Sequence, residues 1–174
     1  ASAGAMGKIS VLAANATWTA DNRVVSPAGG AAQLGARGSG NESVMAIGAN
    51  GKLWDEEMGA ACGDELNLIQ RGAYFGYPIV SNGNHYDGRP IPDHATRPEF
   101  AAPKVTWTPV ISPAGLIFYS GSQFPQWQGS AFIGGLSSTP PVRAPFEGAN
   151  APEAERLHMG ERNREGETAR DGEP

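Results

Sequence analysis

Five acidic residues lie close together between positions 53 and 78, and two glycines interrupt them. The acidic residues are Asp55, Glu56, Glu57, Asp64 and Glu65, and the glycines are Gly59 and Gly63. Calcium takes six to eight oxygen ligands, and a glycine-bent loop offers carboxylates together with accessible backbone carbonyls. The spacing is not that of an EF-hand. Two interpretations stay open: a calcium-binding loop, and a solvated acidic loop that caps a strand.

A second group of polar residues follows at positions 79–98. It contains His85, Asp87, Asp93 and His94, between the turn dipeptides Asn82-Gly83 and Asp87-Gly88. These four side chains are of metal-binding types, but no helical pattern aligns them. We therefore favour a polar loop over a second metal site.

Composition favours a turn-rich β protein. The chain has 174 residues, with 24 glycines and 14 prolines, which is unusual for a helical protein. The length predicts one domain with a substantial core.

A net charge of −5 gives no basic surface for nucleic acid, and no apolar run is long enough to span a membrane. The single Cys62 excludes an intrachain disulfide.

Short strands are predicted where apolar runs stand between glycine and proline turns. Asn50-Gly51 predicts a tight hairpin turn. Trp107, Phe118, Tyr119 and Phe132 are expected in the core. Strands at intervals of about ten residues favour a sandwich, barrel or propeller without a long helix. The predicted strands are 7–12, 44–47, 52–56, 65–70, 115–120 and 130–135.

Two long motifs resemble the glucose/sorbosone dehydrogenase family, the soluble quinoprotein aldose sugar dehydrogenases. The first, at 51–92, is GKLWDEEMGAACGDELNLIQRGAYFGYPIVSNGNHYDGRPIP. The second, at 107–136, is WTPVISPAGLIFYSGSQFPQWQGSAFIGGL. The resemblance implies an all-β fold, a six-bladed β-propeller, of which this chain would supply about three blades of four-stranded antiparallel sheet.

This resemblance divides the chain into three regions. Residues 1–43 are expected to form a loose N-terminal segment with one strand, and residues 44–152 a β-propeller-like core. Residues 153–174 are expected to form a charged, poorly ordered tail, because so few of their side chains are apolar.

The resemblance also implies cofactors and ligands. Calcium and pyrroloquinoline quinone (PQQ) would lie in the central channel, with Gly59 and Ala60 offering backbone carbonyls to the calcium on the cofactor side. A structural calcium would bind the Glu65 side chain and the Phe75 carbonyl. Asn41 matches a quinone-binding position of the family. No residue of this chain matches the catalytic histidine, so the catalytic group stays unassigned.

The resemblance implies a fragment-like relative of these enzymes, with a retained calcium loop and incomplete catalytic and quinone-binding machinery. Its partners would be a small sugar substrate and a second copy that completes the propeller. The alternatives are a calcium-dependent hydrolase such as a lactonase, and a non-catalytic interaction module. A periplasmic or secreted location is implied by the family, although Ala1 to Met6 shows no apolar region of a signal peptide.

Overall fold

The fold is a set of short, mainly antiparallel strands joined by turns. The computed structural model describes residues 7–9, 17–18, 24–25, 36–39, 41–48, 50–70, 72–137, 141–146, 155–157, 163 and 166–167. The strands are β1 (Gly7–Ile9), β2 (Thr17–Trp18), β3 (Val24–Val25), β4 (Ala36–Ser39), β5 (Asn41–Ile47), β6 (Leu53–Met58), β7 (Asp64–Ile69), β8 (Ala73–Tyr74), β9 (Val105–Trp107), β10 (Pro113–Phe118), β11 (Ala131–Gly135), β12 (Val142–Ala144) and β13 (Glu155–Arg156).

Two four-stranded antiparallel sheets dominate the described part of the chain. The first sheet has the order β5-β6-β7-β9, and the second has the order β10-β11-β12-β13. A three-stranded sheet joins β1, β4 and β8, and β2 pairs with β3. The helical content of the described residues is two short 3-10 turns, His94–Thr96 and Pro125–Trp127. The all-β prediction is therefore confirmed, and no described helix is long and apolar enough to cross a membrane.

The predicted strands between positions 44 and 135 correspond to β5, β6, β7, β10 and β11, with ends that differ by up to three residues. Four short strands, β1 to β4, lie within the segment 1–43 that was expected to hold one strand. Of the predicted tail, the structure describes 155–157, 163 and 166–167, and β13 pairs there with β12. The three-region division itself stays a prediction.

The predicted hairpin connects β5 to β6. Gly51 has φ +73°, a left-handed conformation that glycine adopts without steric cost. The Gly51 N–H donates to the Gly48 carbonyl at 2.9 Å, and the Lys52 N–H donates to Asn50 Oδ1 at 3.0 Å. This turn sets the register in which β5 pairs with β6, the strand that carries Asp55, Glu56 and Glu57.

The main core lies between the two four-stranded sheets, where β10 packs against β5 and β6. Trp54, Leu66 and Trp107 of the first sheet and Ile133 and Val142 of the second are fully or almost fully buried there. Of the four aromatic residues predicted in the core, Trp107, Tyr119 and Phe132 are buried. Phe118 is partly buried against the same cluster. A smaller cluster around Ile69 and Phe75 covers the other face of the first sheet.

Leu66→Ala should destabilise the protein strongly, because Leu66 is fully buried between the two sheets. We expect a loss of about 2–5 kcal/mol in the free energy of unfolding, from lost burial and a residual cavity. The measurement is urea unfolding followed by tryptophan fluorescence. Ile47→Ala is the matched control, because Ile47 is 69% exposed on β5, and it should change stability by less than about 0.5 kcal/mol. Equal losses in the two variants would contradict this placement of the core.

Candidate functional site

The pairing of β6 with β7 sorts the acidic residues onto two faces of the first sheet. Asp55 lies opposite Asn67, and Glu57 lies opposite Glu65. Because side chains alternate along a strand, these four residues share one face, which we call the carboxylate face. Glu56 lies opposite Leu66 and is therefore on the other face, toward the core between the sheets.

All five acidic residues are buried, with no side chain more than 6% exposed. Strands β6 and β7 lie inside the first sheet, between β5 and β9, and both of their faces are covered. The interpretation of a solvated acidic loop is therefore wrong. Burial of carboxylates in a low-dielectric interior is costly unless they are protonated, hydrogen-bonded or compensated by a cation.

Glu57 and Glu65 meet on the carboxylate face and share a side-chain hydrogen bond. Burial, this hydrogen bond and the charge of Glu57 together raise the pKa of Glu65 well above its usual value. The Asn67 amide, 3.4 Å from Glu65 Oε2, and a hydrogen bond from the Asn82 backbone N–H act in the opposite direction. Two carboxyl groups can share a hydrogen bond in this way when one carries a proton.

Asn67 is a further polar residue of this face that the sequence analysis did not identify. Its side chain is fully buried, and its Oδ1 has no hydrogen-bond partner among the described residues. The spacing to Glu65 could have revealed it, since residues two apart on a strand point to the same face. A buried amide oxygen without a donor is the kind of atom that a cation or an ordered water satisfies.

Glu56 is buried among the apolar residues between the sheets. Neither of its carboxylate oxygens has a hydrogen-bond partner among the described residues. Burial, with a smaller contribution from the charge of Asp64, raises the pKa of Glu56 to about 8. Glu56 is therefore predominantly protonated at neutral pH.

Asp64 is buried as well, but its oxygens are well satisfied. Oδ1 accepts from the Gly59 N–H at 3.0 Å. Oδ2 accepts from the backbone N–H groups of Ile111 at 2.8 Å and Ser112 at 2.7 Å. Asp64 therefore has three backbone donors, whereas no described group donates to Glu56, although the two side chains lie close together.

The loop 59–63 packs backbone to backbone against residues 82–84. A Cβ atom on Gly59 would lie 2.1 Å from the Cys62 carbonyl oxygen, and one on Gly83 would lie 1.9 Å from the same atom. Gly63 has φ +75°, and a Cβ there would lie 2.5 Å from the Asn82 carbonyl. The Ala61 N–H donates to the Asn84 carbonyl at 3.0 Å. These glycines let the loop and its neighbour approach closely.

The backbone carbonyls of Gly59 and Ala60 accept no hydrogen bond from the described residues. Asn41 is the residue of β5 opposite Met58, directly before Gly59. The structure therefore brings together the three positions that the sequence predicts for cofactor binding, Asn41, Gly59 and Ala60. Their roles as ligands stay predictions.

Phe75 and Glu65 are connected through Asn82 and His94. The His94 Nε2 donates to the Phe75 carbonyl at 2.8 Å, and its Nδ1 lies 3.1 Å from Asn82 Oδ1. The Asn82 side-chain amide also donates to Thr106 Oγ1 at 2.8 Å, while its backbone N–H reaches Glu65. Neither Asn82 nor His94 was predicted at this position, because the sequence pattern does not show that the loop folds back onto β7.

The other polar residues of that loop lie elsewhere. Asp87 forms an exposed ion pair with Arg89 at 2.8 Å, and Asp93 caps the first 3-10 turn by accepting from the Ala95 N–H at 2.7 Å. His85 is half-buried, and its backbone N–H donates to the Arg89 carbonyl at 3.0 Å. His94 is the one of the four that joins the network around Glu65.

The donor set suits a hard cation rather than a soft one. Within the part of the chain that the structure describes, no three His, Cys, Asp or Glu side chains converge as metal ligands. A cation would therefore need backbone and amide oxygens in addition to carboxylates, which calcium accepts readily. Glu65, the Phe75 carbonyl and the orphaned Asn67 Oδ1 offer such oxygens, so these residues fit calcium.

The described cationic groups near carboxylates are already engaged. Arg143 pairs with Glu155 and donates to Ser130 Oγ at 3.2 Å. Arg97 pairs with Glu99 at 2.6 Å and lies over the Phe100 ring. Both arginines therefore already have a carboxylate partner.

Comparison with known proteins gives a consistent result. The model of the family described as glucose/sorbosone dehydrogenase matches residues 2–173. An uncharacterized protein of Synechocystis sp. is 38% identical over 133 residues, covering 75% of this chain and 32% of that protein. Aldose sugar dehydrogenase YliI of Escherichia coli is 31% identical over 159 residues, covering 87% of this chain and 42% of that enzyme.

A solved structure also matches the fold. The crystal structure of a glucose dehydrogenase superposes with a TM-score of 0.73 at 34% identity, over 85% of this chain and 44% of that chain. The all-β architecture is therefore that of the sugar dehydrogenase propellers, as the sequence predicts. The chain spans less than half the length of the relatives it matches.

Replacing Glu56 by Gln should change how stability depends on pH, measured in the presence of chelator. The pKa of Glu56 is about 8 in the folded state and near 4.5 when unfolded, so the unfolded chain releases the proton first as the pH rises. The free energy of unfolding should fall by roughly 2–3 kcal/mol between pH 5 and pH 7 through this group. Glu56→Gln should remove that slope and melt higher than wild type at pH 8.

The matched control is Glu99→Gln, which makes the same chemical change at an exposed carboxylate. Its pH profile should follow that of wild type above pH 5. If wild type and Glu56→Gln have the same pH profile, Glu56 is not a buried, protonated group.

Proposed function

Because the chain belongs to the glucose/sorbosone dehydrogenase family, we propose that it forms the calcium-holding part of a quinoprotein aldose sugar dehydrogenase. The observation that carries the proposal is the carboxylate face, where Glu57, Glu65 and Asn67 lie buried together and no described residue donates a hydrogen bond to Asn67 Oδ1. A bound divalent cation would compensate the repulsion between Glu57 and Glu65, which otherwise needs a retained proton.

In this proposal the chain holds calcium at two places. The Glu65 side chain and the Phe75 carbonyl hold a structural ion, with Asn67 Oδ1 as a further oxygen on the same face. His94 and Asn82 keep the Phe75 carbonyl and Glu65 in one network. The carbonyls of Gly59 and Ala60 hold the second ion on the cofactor side, beside Asn41.

When bound, pyrroloquinoline quinone would supply the hydride acceptor for oxidation of a sugar. The contribution of this chain is to bind and orient: Gly59 and Ala60 supply neutral carbonyl oxygens, and Asn41, whose backbone pairs with Met58, is the third position proposed for cofactor binding. Buried carboxylates such as Glu56 do not contact a substrate. The proton-accepting group for the sugar hydroxyl is therefore not assigned to a described residue.

The hydrolase alternative receives less support. A base that activates water must reach the substrate, yet all five acidic residues of the site are almost completely buried. We further propose a small sugar as substrate, a second copy or a complementary chain that completes the propeller, and a periplasmic or secreted location. These proposals rest on the family alone.

Calcium should raise the melting temperature of the wild-type protein. A ligand that binds the folded state alone stabilises it by about 2.7 kcal/mol at a hundredfold excess over its dissociation constant. Glu65→Gln should reduce this shift, because a hard cation depends strongly on anionic oxygen. Melting is measured for both proteins with chelator and with millimolar calcium. The exposed Glu99→Gln is the control and should keep the full shift; no shift in wild type would contradict the calcium site.

Activity should follow the dehydrogenase proposal. The apo and calcium-loaded proteins are assayed in parallel with an aldose, the quinone and a dye acceptor, and with acyl-homoserine and simple lactones. We expect calcium-dependent binding of the quinone, seen as a change in its absorption spectrum, and dye reduction when the propeller is complete. Lactone hydrolysis without quinone binding would replace this proposal with the hydrolase alternative.

A further inference from the structure

One buried carboxylate connects a nearby loop to a segment that is far away in the sequence. Asp64 is 1% exposed and accepts from Gly59, five residues away, and from Ile111 and Ser112, 47 and 48 residues away. Gly59 belongs to the loop that follows β6, whereas Ile111 and Ser112 lead into β10 of the second sheet. The carboxylate therefore ties the loop 59–63 to the second sheet.

The loop has little freedom to adopt another backbone arrangement. A Cβ on Gly59 would lie 2.5 Å from the Gly63 carbonyl oxygen, in addition to its clash with Cys62. Gly63 is held against Asn82 and Gly83. Movement of Gly59 away from Asp64 would break this close packing, so the Gly59 position and the Asp64 contact depend on each other.

The segment 111–112 is held equally firmly on the other side. Ser112 has φ +51°, a left-handed conformation that is strained for a non-glycine residue and persists where surrounding contacts impose it. The Leu136 N–H donates to the Ser112 carbonyl at 2.9 Å, and Ser112 Oγ donates to Ser137 Oγ at 2.8 Å. These contacts connect the segment to the end of β11.

We propose that Asp64 is a positioning residue that sets the loop 59–63 against the second sheet and so fixes the Gly59 and Ala60 carbonyls for cation binding. This inference rests on the proposed function. Three backbone N–H groups converge on this one side chain, with Gly59 on Oδ1 and both Ile111 and Ser112 on Oδ2. An asparagine side chain offers a single acceptor oxygen, so it cannot serve both the loop and the second sheet.

The test compares wild type with Asp64→Asn by amide hydrogen exchange and calcium titration calorimetry. Titrations use a Glu65→Gln background, which removes the side-chain ligand of the other proposed calcium. In Asp64→Asn we expect at least tenfold faster exchange at Gly59, Ile111 or Ser112 and at least tenfold weaker calcium binding. Val142→Ala is the destabilised control, because Val142 is fully buried on β12 and takes part in none of the Asp64 hydrogen bonds.

Val142→Ala should lower the melting temperature without changing calcium affinity, which separates positioning from general stability. Asp87→Asn makes the same chemical change at an exposed carboxylate and should change neither quantity. Asp64→Asn with the exchange pattern and affinity of Asp87→Asn would overturn the inference. Calcium affinity that falls equally in Val142→Ala and Asp64→Asn would overturn it as well.

Two further outcomes separate this inference from the proposed function. If calcium binds neither to wild type nor to the Glu65→Gln variant, the proposed function and the cation-binding part of the inference fail together. The exchange pattern alone then decides whether Asp64 positions the loop. If Asp64→Asn does not fold, wild-type exchange decides. Similar protection at Gly59, Ile111 and Ser112 supports a shared acceptor, and unrelated protection at the three amides overturns it.

Discussion

The burial of like-charged carboxylates on two paired strands is the constraint on which the rest of this structure depends. Glu57 and Glu65 face each other across β6 and β7 with no more than 6% exposure. In a medium of low dielectric constant two such groups cannot both be ionised without compensation. The structure shows two kinds of compensation: a hydrogen bond shared by the two carboxyl groups, and donation to Glu65 from the Asn67 amide and the Asn82 backbone N–H. A bound cation would be a third.

Buried carboxyl groups are compensated differently on the two faces of the first sheet. On the carboxylate face, polar groups gather, and the loop around Asn82 and His94 closes over them. On the opposite face, Glu56 stands among apolar residues and retains its proton, whereas Asp64 stays satisfied through three backbone donors. Two buried carboxyl groups on neighbouring strands therefore differ in their hydrogen bonding, because backbone N–H groups reach Asp64 and no described group donates to Glu56.

Glycine packing makes this arrangement possible. The loop 59–63 and residues 82–84 approach so closely that a Cβ on Gly59, Gly63 or Gly83 would overlap backbone atoms. Close approach of the two backbones places the Asn82 N–H within reach of Glu65. In the described part of the chain, no N–H donates to the carbonyls of Gly59 and Ala60. Loop shape and carboxylate chemistry are thus consequences of the same contacts.

The sequence by itself determined the strands, the Asn50-Gly51 hairpin and the family, because these follow from local turn chemistry, apolar runs and contiguous motifs. The sequence also shows that Gly59 and Gly63 lie between the acidic residues of β6 and those of β7. Tertiary structure alone decided that these carboxylates are buried, since burial depends on strands and loops that cover both faces of β6 and β7. It also decided that Asp64 joins Ser112, 48 residues away, and that His94 turns inward to Phe75. Such contacts depend on register and on the docking of distant segments, which the order of residues along the chain does not display.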